Sequence, residues 1–267
     1  MQRKWFSVLL VVFAILVVAA QPVAADPSVT VVSSEFRTRG TGNGPTPEPE
    51  NDQFIELYNL SASSVVLDNY CIYGWDDVTT SPWPIAQIPT GVTLLPYQHY
   101  LVVNGGFEPG AGYSGAAAPD ESFIFPMFSN GVGLALLAPD GNGDCDDIVG
   151  TVIDAVSTTA LAPAMYQEGA VLAPMTLDID QSYERMPATA GLPPNDGHIN
   201  TEDSDDNLAD FTYNNGSSNP ESLAASSPTT VTLRDLTAQA QSPTVWLWPV
   251  ALLIVLSGAL IVSRRRA

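Results

Sequence analysis

Two apolar runs, one near each terminus, leave only the stretch between them to build a globular core. Arg3 and Lys4 precede the first run, Trp5 to Ala20, which only Ser7 interrupts and which Gln21 and Pro22 close. Val23-Ala24-Ala25 follows with small residues where a cleavage rule inspects them, so residues 1–25 read as a secretory signal peptide cut after Ala25. The second run extends from Val245 to Val262 and, at about 1.5 Å per helical residue, reaches about 27 Å, the thickness of a bilayer core. Trp246 and Trp248 sit at its outer edge, where indoles favour the headgroup region. Arg264, Arg265 and Arg266 flank its other end and stay cytoplasmic by the positive-inside rule. The expected layout is a transmembrane helix over 244–263, a basic cytoplasmic tail over 264–267, and everything between signal and helix outside the cell.

That exterior part holds all 29 acidic residues but only four arginines, Arg37, Arg39, Arg185 and Arg234, and no lysine, a formal charge of −25. Such a surface repels nucleic acid and anionic lipid and attracts cations or basic partners. Solubility and adaptation to high salt account for the same charge without a partner. Cys71 and Cys145 are the only cysteines, and an even count outside the cytoplasm argues for one disulfide, with two separately buried thiols as the alternative.

No helical periodicity persists between the two runs. Short stretches rich in Val, Ile, Phe and Tyr alternate with Gly, Pro, Asn and Asp clusters, the pattern of strands and turns. Strands are expected at Val29–Phe36, Gln53–Asn59, Val65–Tyr73, His99–Asn104, Val132–Leu137 and Thr151–Ser157. In Phe54-Ile55-Glu56-Leu57-Tyr58 the alternation sends Ile55 and Leu57 to one face and Phe54, Glu56 and Tyr58 to the other. Long connections at Gly40–Glu50, Glu108–Glu121 and Leu161–Leu177 are too rich in Pro, Gly or Ala to be strands. The fold class is all-β, a sandwich with long loops over residues 26–216. From Ser217 the composition turns to Ser, Thr, Ala, Asn and Gln, so 217–243 reads as a flexible stalk.

The order of short motifs along this stretch resembles the lamin-tail domain of exported bacterial and archaeal proteins. Ser34-Glu35-Phe36-Arg37-Thr38-Arg39-Gly40 is similar to the opening strand of that family, and Gln53-Phe54-Ile55-Glu56-Leu57-Tyr58-Asn59 to its next strand. Val65-Val66-Leu67-Asp68-Asn69-Tyr70 and the run Thr93 to Val103 follow in the family's order. Tyr97 stands where the family has glycine, so that turn is expected to differ locally. Ser129 to Leu134, Val152 to Val156, Ser182-Tyr183-Glu184-Arg185-Met186-Pro187 and Asp203 to Phe211 complete the resemblance, over about residues 28 to 213. It implies an immunoglobulin-like sandwich and an interaction or surface-attachment module, and it brings no catalytic residues. Glu56 is expected to pair with Arg37 or Arg39 across adjacent strands, an exposed pair of about 0–1 kcal/mol.

One loop has the makings of a metal site. Asp140, Asn142, Asp144 and Asp146 place oxygen ligands at alternate positions between glycines, as in the first half of a calcium loop. The glutamate that would complete an EF-hand is replaced by Thr151, and the same residues also suit a hairpin turn. Glu202, Asp203, Asp205, Asp206 and Asp210 form a second acidic group, read as a solvated loop of Asx turns. No HExxH, GxSxG, P-loop or dinucleotide motif is present, and the only histidines are His99 and His198. The expected function is that of a non-enzymatic, single-pass membrane protein displaying a sandwich that binds an extracellular protein or surface polymer, without nucleic acid. A calcium-dependent binding or adhesion domain is the alternative, and an extracellular hydrolase the third reading.

Overall fold

Alternation, β-branched residues and proline punctuation produce twelve strands and almost no helix in the computed structural model, which describes residues 30–43, 48–106, 111–124, 130–139, 145, 148, 150–187 and 203–224. In chain order they are β1 (Val31–Arg37), β2 (Phe54–Asn59), β3 (Val65–Val66), β4 (Cys71–Asp76), β5 (Pro82–Gln87) and β6 (Thr93–Leu94). There follow β7 (His99–Asn104), β8 (Glu121–Phe123), β9 (Val132–Leu137), β10 (Val152–Ser157), β11 (Gln181–Arg185) and β12 (Phe211–Asn215). One sheet has the order β12-β11-β1-β2-β7-β8, a second β10-β9-β4-β5, and β3 pairs with β6 as a separate ribbon. All pairings are antiparallel except β7 with β8. All described residues belong to one unit of the chain, Met1–Ser227.

The two larger sheets share one apolar core. Phe36, Ile55, Leu57, Tyr100, Val102 and Tyr183 from the first meet Ile72, Ile85, Leu134, Leu136 and Val156 from the second. Each such side chain fully buried contributes about 1.5–3 kcal/mol, so this layer is the main source of stability. Phe36 stacks on Tyr183 at 5.7 Å between ring centroids and meets Phe211 edge-on. Gly74 in β4 admits the indole of Trp83 from β5, since a Cβ there would lie 2.8 Å from the ring.

The outer faces are covered as well. Tyr73, Trp75, Ala135 and Leu137 on the second sheet pack under Ala162 and Tyr166 of the long 161–177 connection. Phe54, Leu101 and Val103 on the first sheet pack under Tyr113 and Ala117. The Ala- and Pro-rich loops are therefore lids on the sheets, and the strands beneath them are buried on both sides. Unlike faces survive in chemistry: the inner face is apolar apart from the Arg185–Asp154 pair, whereas the outer face of the first sheet carries buried Glu35, Glu56 and Glu184.

His99–Asn104 and Val132–Leu137 match the sequence expectation residue for residue. The expected strand Val65–Tyr73 is broken at Leu67–Tyr70, where Asn69 takes a positive φ of 60° and turns the chain from the ribbon into β4. Tyr97 has φ 59°, the left-handed geometry that glycine favours. The folded part also runs past residue 216: residues 217–224, expected as the start of the stalk, lie across the first sheet. The expected signal peptide 1–25, transmembrane helix 244–263 and tail 264–267 lie outside the described residues, among which no helix is long and apolar enough to cross a membrane.

Cys71 and Cys145 are joined by a disulfide, with Cα atoms 5.8 Å apart and a sequence separation of 74. It ties the start of β4 to the loop after β9, and the Tyr73 hydroxyl donates to the Cys145 carbonyl beside it. Closing a loop of that length stabilises a fold by about 4 kcal/mol in the chain-entropy model. Replacing both cysteines with alanine should lower the urea-unfolding free energy by up to about that amount, with the sheet signature in circular dichroism retained.

Candidate functional site

The scarce arginines organise the polar interior. Arg185, at the end of β11, points inward between the sheets and is fully buried. Its Nη2 lies 2.6 Å from Asp154 Oδ1 on β10, and its Nη1 lies 3.2 Å from Asp203 and 3.5 Å from Asp210. Nε donates to the Ser33 carbonyl at 2.9 Å, and the guanidinium lies over the Phe211 ring at 4.6 Å. Backbone irregularities make the geometry possible. The β1–β2 register shifts between Ser33 and Glu35, and the β10–β9 register between Val152 and Asp154. At these bulges the Ser33 amide donates across the sheets to Asp154 Oδ2 at 2.8 Å.

Around this pair the long loops add further carboxylates. Glu168 accepts from the Ala155 amide at 3.0 Å, while Asn207 Nδ2 donates to the Ala155 carbonyl and its Oδ1 accepts from the Ser157 amide. Together they satisfy backbone groups along β10, the end strand of the second sheet. Asp206 caps the helical turn Asn207–Asp210 by accepting from the Leu208 and Ala209 amides, and it also accepts from the Ala170 amide. Asp210 accepts from the Ser204 amide and hydroxyl. Asp210 is thus buried in the core wall, whereas Asp205, Leu208 and Ala209 are exposed and Asp206 makes an Asx turn with the Leu208 amide, as a solvated loop of Asx turns would; Glu202 lies outside the described residues.

Asp154, Glu168 and Asp203 bring ligand oxygens within 4.8 Å of one another, close enough to hold a cation. The Arg185 guanidinium already supplies positive charge to two of them. The excess negative charge is relieved by protonation: burial, and then the charge of Asp154, push the Glu168 carboxyl up to about 9 against the opposing pull of Arg185. Burial likewise raises Asp203, where Arg185 acts in the opposite sense. The arrangement is suited to charge compensation and proton sharing.

A second cluster lies on the outer face of the first sheet. Arg37 is buried, donates through Nε to the Asp52 carbonyl and pairs with the Asp52 carboxylate and, at 2.9 Å, with Asp180. Its guanidinium lies 5.0 and 5.7 Å from the ring centroids of Phe54 and Tyr113, which pack edge-on against each other. Asp52 also accepts from the Ser114 amide and hydroxyl and the Gly42 amide, so one carboxylate binds two loops. Glu56 pairs with neither Arg37 nor Arg39 as expected; the register sets Arg37 opposite Phe54 and Glu56 opposite Glu35. Arg39 instead pairs with Glu50 and Asp178. Glu56 accepts from the Ser34 hydroxyl and the Glu221 amide and lies 2.8 Å from His99 Nδ1. Burial first, then the Glu56 and Glu184 charges, hold Glu35 well above the usual carboxylate range.

The segment 217–224 is pinned to these acids. The amides of Ser218, Asn219, Glu221 and Leu223 donate in turn to Asp180, Glu35, Glu56 and Asp120, and Gln98 Nε2 donates to the Leu223 carbonyl. Serine, asparagine and proline composition read as linker; the carboxylates that receive the strap are far away in sequence, so no local signal marked it.

The candidate calcium ligands Asp140, Asn142, Asp144 and Asp146 lie outside the described residues, as do Trp246, Trp248, Arg264, Arg265 and Arg266. Asp154, Glu168, Arg185, Asp52 and Asp180 were not singled out in sequence. The available signal was the rarity of arginine, three of whose few copies, Arg37, Arg39 and Arg185, sit inside the motifs that carry the family resemblance.

No protein-family model matches the chain, and no curated protein matches it. Among solved structures it is similar to a DUF4876 family protein from Bacteroides thetaiotaomicron, with 13% identity and a TM-score of 0.48 over 69% of this chain and 70% of that one.

A carboxyl whose folded pKa lies above its unfolded value stabilises the fold below the unfolded pKa, and that stability is lost as pH rises through the folded value. For Glu168 the window runs from about 4.5 to about 9, and Glu35 and Asp203 act with the same sign. Urea midpoints measured at pH 5, 7 and 9 should therefore fall with rising pH, and Glu168→Gln should flatten the upper half of that decline.

Proposed function

We propose that this chain is an exported, single-pass membrane protein that displays an immunoglobulin-like, lamin-tail-like sandwich outside the cell as a non-enzymatic interaction or attachment module. The observation that carries the location is the Cys71–Cys145 disulfide. Such bonds form and persist outside the cytoplasm, where glutathione does not keep thiols reduced. The two terminal apolar runs, with basic residues on the flanks that stay inside, support the same orientation.

The character of the polar interior supports a scaffold. Its acids and bases are committed to ion pairs, strand edges and loop closure. On such a scaffold the long loops are the parts free to vary in shape and chemistry, and binding is most readily built there. The partner is an extracellular protein or surface polymer able to approach an acidic surface, hence neutral or basic in character.

Protease added to intact cells should remove the folded unit and leave a short membrane-bound fragment. Thiol alkylation before reduction should find no reactive cysteine and, after reduction, two. Recovery of an intact, protease-protected chain in the soluble cytosol would contradict the reading.

A further inference from the structure

On a chain this acidic, a charge-free region is unusual enough to ask what it faces. Leu60 to Leu67 and Ile88 to Gln98 contain no charged residue, and they pair as the β3–β6 ribbon, Val65 with Leu94 and Val66 with Thr93. The ribbon's inner side feeds Leu67 and Leu94 into the core. Its outer side is uncharged and open: Val66 is 55% exposed, Leu95 49% and Tyr97 38%, with exposed Thr93 opposite Val66.

These side chains are held outward by a rigid support. Asn59 Nδ2 donates to the carbonyls of Ser63 at 2.8 Å and Leu95 at 2.9 Å, and the Leu95 amide donates to Gln98 Oε1 at 2.9 Å. Tyr97 adopts φ 59°, a backbone state that glycine would occupy without strain. An exposed aromatic ring is thus maintained on a turn that would fold more comfortably without it, and such strain persists where it serves a purpose.

The chain leaves the described structure at this same end. The Leu223 carbonyl accepts from Gln98 Nε2 at 3.1 Å, next to the turn that carries Leu95 and Tyr97. About twenty residues then separate Ala224 from the apolar run that begins at Val245, a reach of roughly 25 Å if flexible.

We propose that the outer side of the β3–β6 ribbon, Val66, Leu95 and Tyr97, seats the folded unit on the headgroup layer of the bilayer to which the chain is anchored. This rests on the anchored reading above. The lipid is zwitterionic or weakly charged, because the rest of the surface is repelled by anionic headgroups. Tyrosine suits that layer, with an apolar ring and a polar tip. A second copy of this chain fits the ribbon less well. Three part-exposed side chains offer a few hundred Å² at most, against roughly 1,000 Å² for a stable interface, and the copies repel each other. A tethered domain needs no large area, since its anchor keeps the ribbon at high effective concentration near the lipid.

The test uses the full chain in phosphatidylcholine vesicles, with a nitroxide on Leu95→Cys and the native disulfide intact. A control label goes on Val78→Cys, 70% exposed on the turn between β4 and β5, the end of that hairpin remote from the ribbon. Collision with lipid-soluble oxygen relative to a water-soluble nickel chelate should be several-fold higher at position 95 than at 78. Tyr97→Gly, which relieves the backbone strain, should reduce that ratio while leaving the thermal midpoint unchanged or higher. A label at 95 as water-exposed as that at 78, in chain that still floats with the vesicles, would overturn the ribbon proposal and leave the anchor standing. Chain that fails to float would overturn both. Shielding at 95 that persists in detergent without vesicles and fades on dilution would show a second copy on the ribbon and overturn the lipid assignment.

Discussion

The Arg185–Asp154 pair joins the two sheets at a point where neither backbone runs regularly, and much of the surrounding structure is arranged to permit it. Two bulges, one in β1 and one in β10, bring the Ser33 amide and the Asp154 carboxylate together. Asp203 and Asp210, from the segment before β12, close over the guanidinium from the loop side. A buried ion pair of this kind is weak evidence of net stability, since desolvation offsets much of the attraction. It does define a register: sliding either sheet by one residue would leave a buried cation facing apolar side chains, at a cost of several kcal/mol. Its contribution is specificity of sheet packing, with the apolar layer supplying the bulk of the energy.

The same logic operates on the outer face of the first sheet, where Arg37 gathers Asp52 and Asp180 and three buried glutamates line adjacent strands. Acidic side chains there serve as acceptors for the amides of a segment that would otherwise have no sheet to pair with. The strap 217–224 closes the face by alternate amides, and it carries the chain from the β12 side of the sheet to the start of β7. The strongly negative composition thus has an internal use as well as an external one, because many of the carboxylates are structural acceptors.

Legibility in the sequence followed how local each signal was. Strands whose two faces differ, such as β2, and strands of continuous apolar residues, such as β7 and β9, were readable because their own side chains carry the pattern. β5, with Pro82 and Pro84, was not among the expected strands; it is an end strand, where the missing amides cost little. β11, Gln-Ser-Tyr-Glu-Arg, looked polar because its burial depends on partners from β1, β10 and the 203–210 segment. Glu56 was assigned an arginine partner on adjacency alone, and a register fixed by the bulge at Ser33 gave it Ser34, His99 and the strap instead. The candidate cluster was the least legible part, since its residues come from four separated segments and meet only through the sandwich.

A double-mutant cycle on Arg185→Met and Asp154→Asn tests the inter-sheet tie most directly. Arg185→Met strands buried carboxylates and should cost about 3–5 kcal/mol; Asp154→Asn leaves Arg185 paired with Asp203 and Asp210 and should cost less, while the double variant should recover enough to give a coupling energy of about 2 kcal/mol. Additivity within about 0.5 kcal/mol would contradict the pairing and, with it, the role given to the buried arginines.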